Sequence, residues 1–191
     1  MSPSVADWNK LVRYMQYVKR TWRDVMTLSA DDLHVTKWYI DASFAVHPDF
    51  KSHTGAVMTY GEGTVQSVSS KQKLNTRSST ESELVGCDDV MTKVLWTWLF
   101  MKEQGYEVKK NIIYQDNKST ILLARNGRKS AGKRSRAINI RYFFISDQCE
   151  KGHVTIEYCP TDKMWADPLT KPLQGGDFKR SADRLMGRST E

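Results

Sequence analysis

The chain has 191 residues, 39% of them hydrophobic and 27% charged, with 29 Lys and Arg against 22 Asp and Glu for a net charge of +7. That length suits one domain, or one domain with a short appendage, able to bury a core without a disulfide or zinc staple. The composition excludes a disordered, collagen-like or low-complexity chain, and the basic surplus points to a polyanionic partner.

Residues 7–23 read as a helix with Asp7 as its N-cap and Leu11, Val12, Met15, Val18 and Trp22 on one face. A connector or short strand over 27–36 leads to the aromatic strand Lys37–Ala42, which ends beside Asp41. Thr54–Tyr60 and Thr64–Ser70 are further strands, with Gly61-Glu-Gly63 as the hairpin turn between them. Thr80–Gln104 reads as one long helix stopped by Gly105. The strand Val108–Tyr114 follows, then Asp116-Asn117 and a short helix to Ala124. Residues 125–136 read as a basic loop, Ile138–Glu150 as a helix, His153–Tyr158 as a strand and Lys163–Thr170 as a helix, and Gly175-Gly176 opens a polar tail. The expected architecture is α/β: an antiparallel meander followed by βαβ crossovers, giving a mixed sheet flanked by helices.

No stretch approaches the length of a membrane span, and the opening residues lack an apolar signal core, so neither a membrane association nor secretion is expected. Cys87, Cys149 and Cys159 form no C-x-x-C pair, which suits free thiols in a reducing compartment. The histidines His34, His47, His53 and His153 show no ligand spacing and read as surface or structural residues.

The acids carry the chemistry. Sites in open α/β sheets form at the carboxyl ends of parallel strands. Asp41 ends the first main strand, Asp116 follows a later one, Asp167 lies near the start of the last helix, and Glu83 occupies the first turn of the long helix. Converging carboxylates repel unless a cation lies between them, and hard oxygen donors suit Mg²⁺ or Mn²⁺. Two such ions about 3.5–4 Å apart serve in-line phosphodiester cleavage. Glu81 competes with Glu83. Glu83 shares a stripe with Cys87, Val90 and Val94 and leans to the packed side, whereas Glu81 leans toward solvent as a capping or surface residue.

The stretch Arg125–Arg141 carries seven basic residues and no acid, so Lys129, Lys133 and Arg134 are candidate phosphate contacts, with a solvated connector as the alternative. Ser78-Ser-Thr80 combines hydroxyls with helix-start amides and can hold a phosphate, or simply cap the helix.

Tyr39-Ile-Asp41-Ala, Ser69-Ser-Lys-Gln72, Ser78-Ser-Thr-Glu-Ser-Glu83, Asp116-Asn117-Lys-Ser, Asn139-Ile-Arg-Tyr142, Tyr158-Cys-Pro-Thr161 and Ala166-Asp-Pro-Leu-Thr-Lys-Pro-Leu173 occur in this order. Together they resemble the ribonuclease H domain of copia-type LTR retrotransposon polyproteins. The resemblance covers residues 37–175. Residues 1–36 look like the connection to a reverse transcriptase, and 176–191 read as a polar C-terminal tail. No Tyr-x-Asp-Asp sequence occurs, so the chain looks like a portion of such a polyprotein without its polymerase.

The resemblance implies a ribonuclease H-like fold with a five-stranded mixed sheet. It implies Mg²⁺-dependent endonucleolytic cleavage of RNA paired with DNA, with two ions for which Mn²⁺ can substitute. The catalytic and metal-binding set carries over as Asp41, Glu83, Asp116 and Asp167. Asp41 would bridge both ions, Glu83 and Asp116 would hold the ion supporting the leaving oxygen, and Asp167 the ion activating water. Ser78, Ser79, Thr80 and Asn117 would face the backbone of the hybrid. The implied partners are the hybrid and a reverse transcriptase domain of the same polyprotein. The implied setting is an intracellular, cytoplasmic virus-like particle, with the isolated domain monomeric.

The chain departs from the pattern in two places. Tyr158–Asp167 lacks the mobile histidine of cellular ribonucleases H, and Arg136-Ala-Ile-Asn-Ile-Arg-Tyr-Phe143 lacks two histidines and an acid common in the family. The rivals are a DNA-acting integrase- or transposase-like nuclease of the same broad fold, and a non-catalytic nucleic-acid-binding module. A terminal Asp167 together with Glu83 favours ribonuclease H over the first, and the intact acids weigh against the second.

Overall fold

The computed structural model describes residues 2–126 and 136–188. Among these residues, seven strands and six α-helices follow one another as α1 (Val5–Thr21), β1 (Ser29–Ala30), β2 (Val35–Ser43), β3 (His53–Thr59), β4 (Gly61–Glu62), β5 (Gln66–Lys71), α2 (Ser79–Glu103), β6 (Lys110–Gln115), α3 (Lys118–Asn126), α4 (Arg136–Glu150), β7 (Thr155–Tyr158), α5 (Asp167–Thr170) and α6 (Gly175–Leu185).

Five strands form the main sheet in the order β5-β3-β2-β6-β7. β3 pairs antiparallel with both β2 and β5, while β2–β6 and β6–β7 are parallel. The meander therefore gives way to crossovers at β2, and the carboxyl ends of β2, β6 and β7 share one edge. β2 alternates at period two: Trp38 and Ile40 enter the main core, while Tyr39 belongs to a second cluster with Cys159, Met164 and Ala166. The main core joins Trp38, Ile40 and Met58 to Leu84, Cys87, Val90, Met91 and Val94 of α2, to Ile121 of α3 and to Ile145 of α4. On the other face Tyr39 stacks on Tyr114 at 4.8 Å and on Trp165 at 5.4 Å between ring centroids.

α2 begins at Ser78, whose hydroxyl accepts from the Glu81 N–H, and it ends before Gly105, whose φ of +87° suits a residue without Cβ. A second glycine matters for packing. A Cβ on Gly55 of β3 would lie 2.6 Å from Thr170 Cγ2 and 3.0 Å from the Ala166 carbonyl, so α5 sits directly against the sheet there.

Several sequence-based expectations need correction. The cap of α1 is Ser4, in a reciprocal box with Asp7, so Asp7 lies inside the first turn rather than at the cap. Gly61 and Glu62 are more than a turn: they pair antiparallel with β1 in a separate two-stranded sheet. The helix expected over Lys163–Thr170 is a 3₁₀ turn at Thr161–Lys163 followed by the short α5, whose first turn contains a proline. The expected polar tail holds α6, where Phe178 packs edge-on against Tyr17 of α1 at 5.6 Å. The same end of the chain is tied to residues 24–27 and 64: Arg188 pairs with Asp24, Thr27 N–H reaches Met186 O, and Thr64 N–H reaches Leu185 O.

Candidate active site

Asp41 pairs with Gly55 of β3 two residues before the end of β2, Asp116 follows β6 directly, and Glu83 lies in the first turns of α2, which packs across β2. Among the described residues, these three acids form a group in which one carboxylate oxygen from each lies within 4.8 Å of the other two. Asp41 and Glu83 are buried and Asp116 is half-buried. Asp167, at the start of α5, is outside this close group but linked to it. Lys171 Nζ lies 2.7 Å from Asp167 Oδ1 and 3.9 Å from Asp41 Oδ2.

Every acid has a neighbour that fixes it. The Thr170 hydroxyl donates to Asp41 Oδ2, and the Thr161 hydroxyl donates to Asp116 Oδ2 at 2.8 Å. Glu83 accepts from the Gln115 amide at 3.1 Å and from the Ala42 N–H. Gln115 Oε1 in turn accepts from the Asn117 N–H at 3.0 Å. The sequence alone does not single out these partners, although Thr161 lies in the Tyr158–Thr161 motif and Thr170 and Lys171 in Ala166–Leu173.

The electrostatics follow from burial. Removal from water raises the Glu83 carboxyl to about 8, and the neighbouring Asp41 adds to the effect. Asp41 is also raised, first by burial and then against the opposing help of Thr170 and Lys171. Three convergent oxygen-donor side chains, two of them short of compensating charge, fit a hard divalent cation.

The helical-face argument separates the two glutamates as the structure does. Glu83 is 5% exposed, whereas Glu81 turns back to accept from the Arg77 N–H at 2.7 Å. Ser79 is exposed near the start of α2, and Thr80 is half-buried, its carbonyl accepting from the Thr120 hydroxyl at 3.3 Å. Asn117 Oδ1 accepts from the Thr120 N–H at 3.1 Å, the arrangement of a cap at the start of α3. Ser78 serves as the α2 cap, so its hydroxyl already has a partner.

The basic stretch divides. Lys129, Lys133 and Arg134 lie outside the described residues. Arg125 donates to the Ile156 carbonyl at 2.8 Å, and Arg141 pairs with Asp88 at 2.5 Å and Asp89 at 3.1 Å, so these two flanking cations hold the fold together. Three of the histidines make structural contacts: His153 packs tilted against Trp98 with ring centroids 4.7 Å apart, and His53 joins His47 to Ser69 through bonds of 3.0 and 2.9 Å. Cys87, Cys149 and Cys159 are free thiols. Among the described residues, no helix is long and apolar enough to cross a membrane.

No family model matches the chain. Among curated proteins it is 28% identical over 185 residues to the retrovirus-related Pol polyprotein from transposon RE2 of Arabidopsis thaliana, covering 96% of this chain and 13% of that protein. The corresponding polyprotein from transposon RE1 of the same plant is also 28% identical over 185 residues, with 12% of its length covered. The Ty1-JR2 Gag-Pol polyprotein of Saccharomyces cerevisiae is 27% identical over 142 residues, covering 73% of this chain and 8% of that protein. The chain thus spans a small fraction of the polyproteins it matches. Among solved structures, LC11-RNase H1, isolated from compost by a metagenomic approach, superposes with a TM-score of 0.51 at 16% identity, covering 72% of this chain and 93% of that one. The sheet order, the acids at its parallel edge and these likenesses agree: the chain is similar over nearly its whole length to a segment of retrotransposon Pol polyproteins and has the ribonuclease H-like fold.

Proposed function

We propose that the chain is a Mg²⁺-dependent endonuclease that hydrolyses the RNA strand of RNA/DNA hybrids during retrotransposon reverse transcription. The observation that carries this reading is the convergence of Asp41, Glu83 and Asp116, from three separate elements, within 4.8 Å at the parallel edge of the sheet. The likeness to Pol polyproteins and to a ribonuclease H fold supports the same substrate class.

In this reading Asp41, Glu83, Asp116 and Asp167 hold two Mg²⁺ ions, for which Mn²⁺ can substitute. Bound there, the metal supplies an activated water and neutralises charge gathering on the phosphate. The chain's own residues do the rest. Thr170 and Thr161 hold the Asp41 and Asp116 carboxylates in one orientation, so little rearrangement is left for the moment of reaction. Ser79, Thr80 and Asn117 contact the hybrid backbone, with Ser78 capping the helix that carries the first two. Lys129, Lys133 and Arg134 grip phosphates along the duplex flank. The 2′-hydroxyl is the group that distinguishes the RNA strand. Residues 37–175 form the nuclease unit, and 1–36 connect it to a reverse transcriptase domain of the same polyprotein within an intracellular virus-like particle.

The test is cleavage of four labelled substrates in Mg²⁺: RNA/DNA hybrid, duplex RNA, duplex DNA and single-stranded RNA. Cleavage of the hybrid alone, abolished by Asp41→Asn, is the expected result. Cleavage of duplex DNA would make the chain an integrase-like nuclease, and binding without cleavage would make it a non-catalytic module.

A further inference from the structure

Glu83 is the one acid of the close group that stands on a helix, so its position relative to Asp41 on β2 and Asp116 just past β6 depends on side-chain contacts across the α2–sheet junction. The structure supplies two. The Ala42 N–H comes from the residue after Asp41, and the Gln115 amide comes from the residue before Asp116. The sequence neighbours of the other two acids therefore hold the third.

Of these, the Gln115 contact is the more specific. Its side chain is fully buried, pointing into the core face of β6 with Ile113 while Tyr114 points to the other. An amide has a distinct donor end and acceptor end, and here both are assigned. Oε1 accepts from the Asn117 N–H at 3.0 Å, which leaves the NH₂ group facing Glu83 Oε2 at 3.1 Å and, more weakly, Cys87 Sγ at 3.7 Å. The strand end cannot flip the amide without leaving the Asn117 N–H unpaired. One Glu83 oxygen is thereby committed to Gln115, and the carboxylate plane is fixed with respect to the turn that presents Asp116.

We propose that Gln115 is a positioning residue that sets the orientation of Glu83 for metal binding and couples it to the Asp116-Asn117 turn. The proposal rests on the reading of Glu83 as a metal ligand. Gln115 touches neither metal nor substrate in this role and acts through the glutamate. Partners that orient ligating groups in this way commonly contribute roughly 10- to 100-fold to metal affinity.

Two variants separate the ends of the amide. Gln115→Met keeps the volume and removes both contacts. Gln115→Glu keeps an acceptor for Asn117 and replaces the donor to Glu83 with a like charge. The full chain is titrated with Mg²⁺ by calorimetry without nucleic acid, and hybrid cleavage is measured across Mg²⁺ concentrations. Both variants should raise the Mg²⁺ dissociation constant about 10-fold or more. Excess Mg²⁺ should restore most of kcat while the KM for hybrid stays near wild type, a pattern that a general loss of packing would not give. Should a variant fail to fold, the wild-type protein still decides. The Gln115 side-chain amide resonances should show slow hydrogen exchange and shift on Mg²⁺ titration. Mg²⁺ dissociation constants within twofold of wild type in both folded variants, or Gln115 amide resonances indifferent to Mg²⁺, would overturn the proposal. If the wild type binds Mg²⁺ and shows this dependence yet leaves hybrid uncut, the positioning role stands and the nuclease reading falls. If neither the wild type nor Asp41→Asn binds Mg²⁺, both fall.

Discussion

The ammonium of Lys171 lies 2.7 Å from an oxygen of Asp167, one helical turn away, and the same nitrogen is 3.9 Å from Asp41. A cation carried by the chain itself thus faces the two acids from the α5 side. Lys171 is 40% exposed, so the pair is screened and its worth is modest, about 0.5–1 kcal/mol. Lys171→Met should lower the stability of chelator-treated protein by that amount. In saturating Mg²⁺ the difference should shrink, because the metal takes over the neutralisation. Urea unfolding with EDTA and with Mg²⁺ measures both values, and an equal loss in the two conditions would remove Lys171 from the electrostatics of the site.

Glu83→Gln should reduce hybrid cleavage by at least about 100-fold, the scale of losing a group that stabilises transition-state charge. Glu81→Gln should leave kcat within about twofold, and the weaker helix-start contact should cost about 1 kcal/mol or less. Steady-state cleavage by the two variants side by side provides the check, and the reverse ranking would contradict the placement of Glu83 in the buried group.

The raised Glu83 carboxyl has a stability consequence. Its pKa is about 8 in the folded chain against an ordinary 4.5, so between these values the folded state holds a proton that the unfolded state has lost. Stability of the metal-free protein should therefore fall as pH rises from about 4.5 to about 8, at up to roughly 1.4 kcal/mol per pH unit. Glu83→Gln should flatten that slope and leave the metal-free protein more stable than wild type at pH near 8. Chemical denaturation in chelator at a series of pH values reads this directly, and parallel profiles for wild type and variant would count against it.

Neutralising Lys129, Lys133 and Arg134 together should weaken hybrid binding and flatten the dependence of binding on salt by up to about 2.7 in the logarithmic slope, close to 0.9 per lost phosphate contact. Cleavage at saturating hybrid should change little. Binding measured by fluorescence anisotropy at several salt concentrations gives the slope, and an unchanged slope would reduce the stretch to a connector.

The acids were legible because each sits where a simple period or boundary places it. Asp41 and Asp116 mark the ends of β-rich runs, and Glu83 shares a 3.6-residue stripe with Cys87, Val90 and Val94, all buried here. The groups that hold them were not legible. Thr170, Thr161 and Gln115 are uncharged, and their partners lie 129, 45 and 32 residues away in the chain. No local pattern encodes such pairings. α6 was hidden by the glycine pair at its start, although Phe178, Ala182 and Leu185 recur at helical spacing behind it. At the start of α1, Ser4 and Asp7 both have capping side chains, and only the reciprocal bonds show that Ser4 is the cap.

The missing Cβ at Gly55 acts as a mechanical datum. α5 rests on the bare backbone of β3, and its depth sets the height of Thr170 and Lys171 above the sheet at once. A methyl group at this point would have to lie 2.6 Å from Thr170 Cγ2, so α5 would ride up as a unit. The hydroxyl on Asp41 and the ammonium beside Asp167 would then be displaced together, while Asp41, Glu83 and Asp116 stayed on their own elements. Alignment of the fourth acid with the other three is thus gauged by the thickness of one residue that has no side chain.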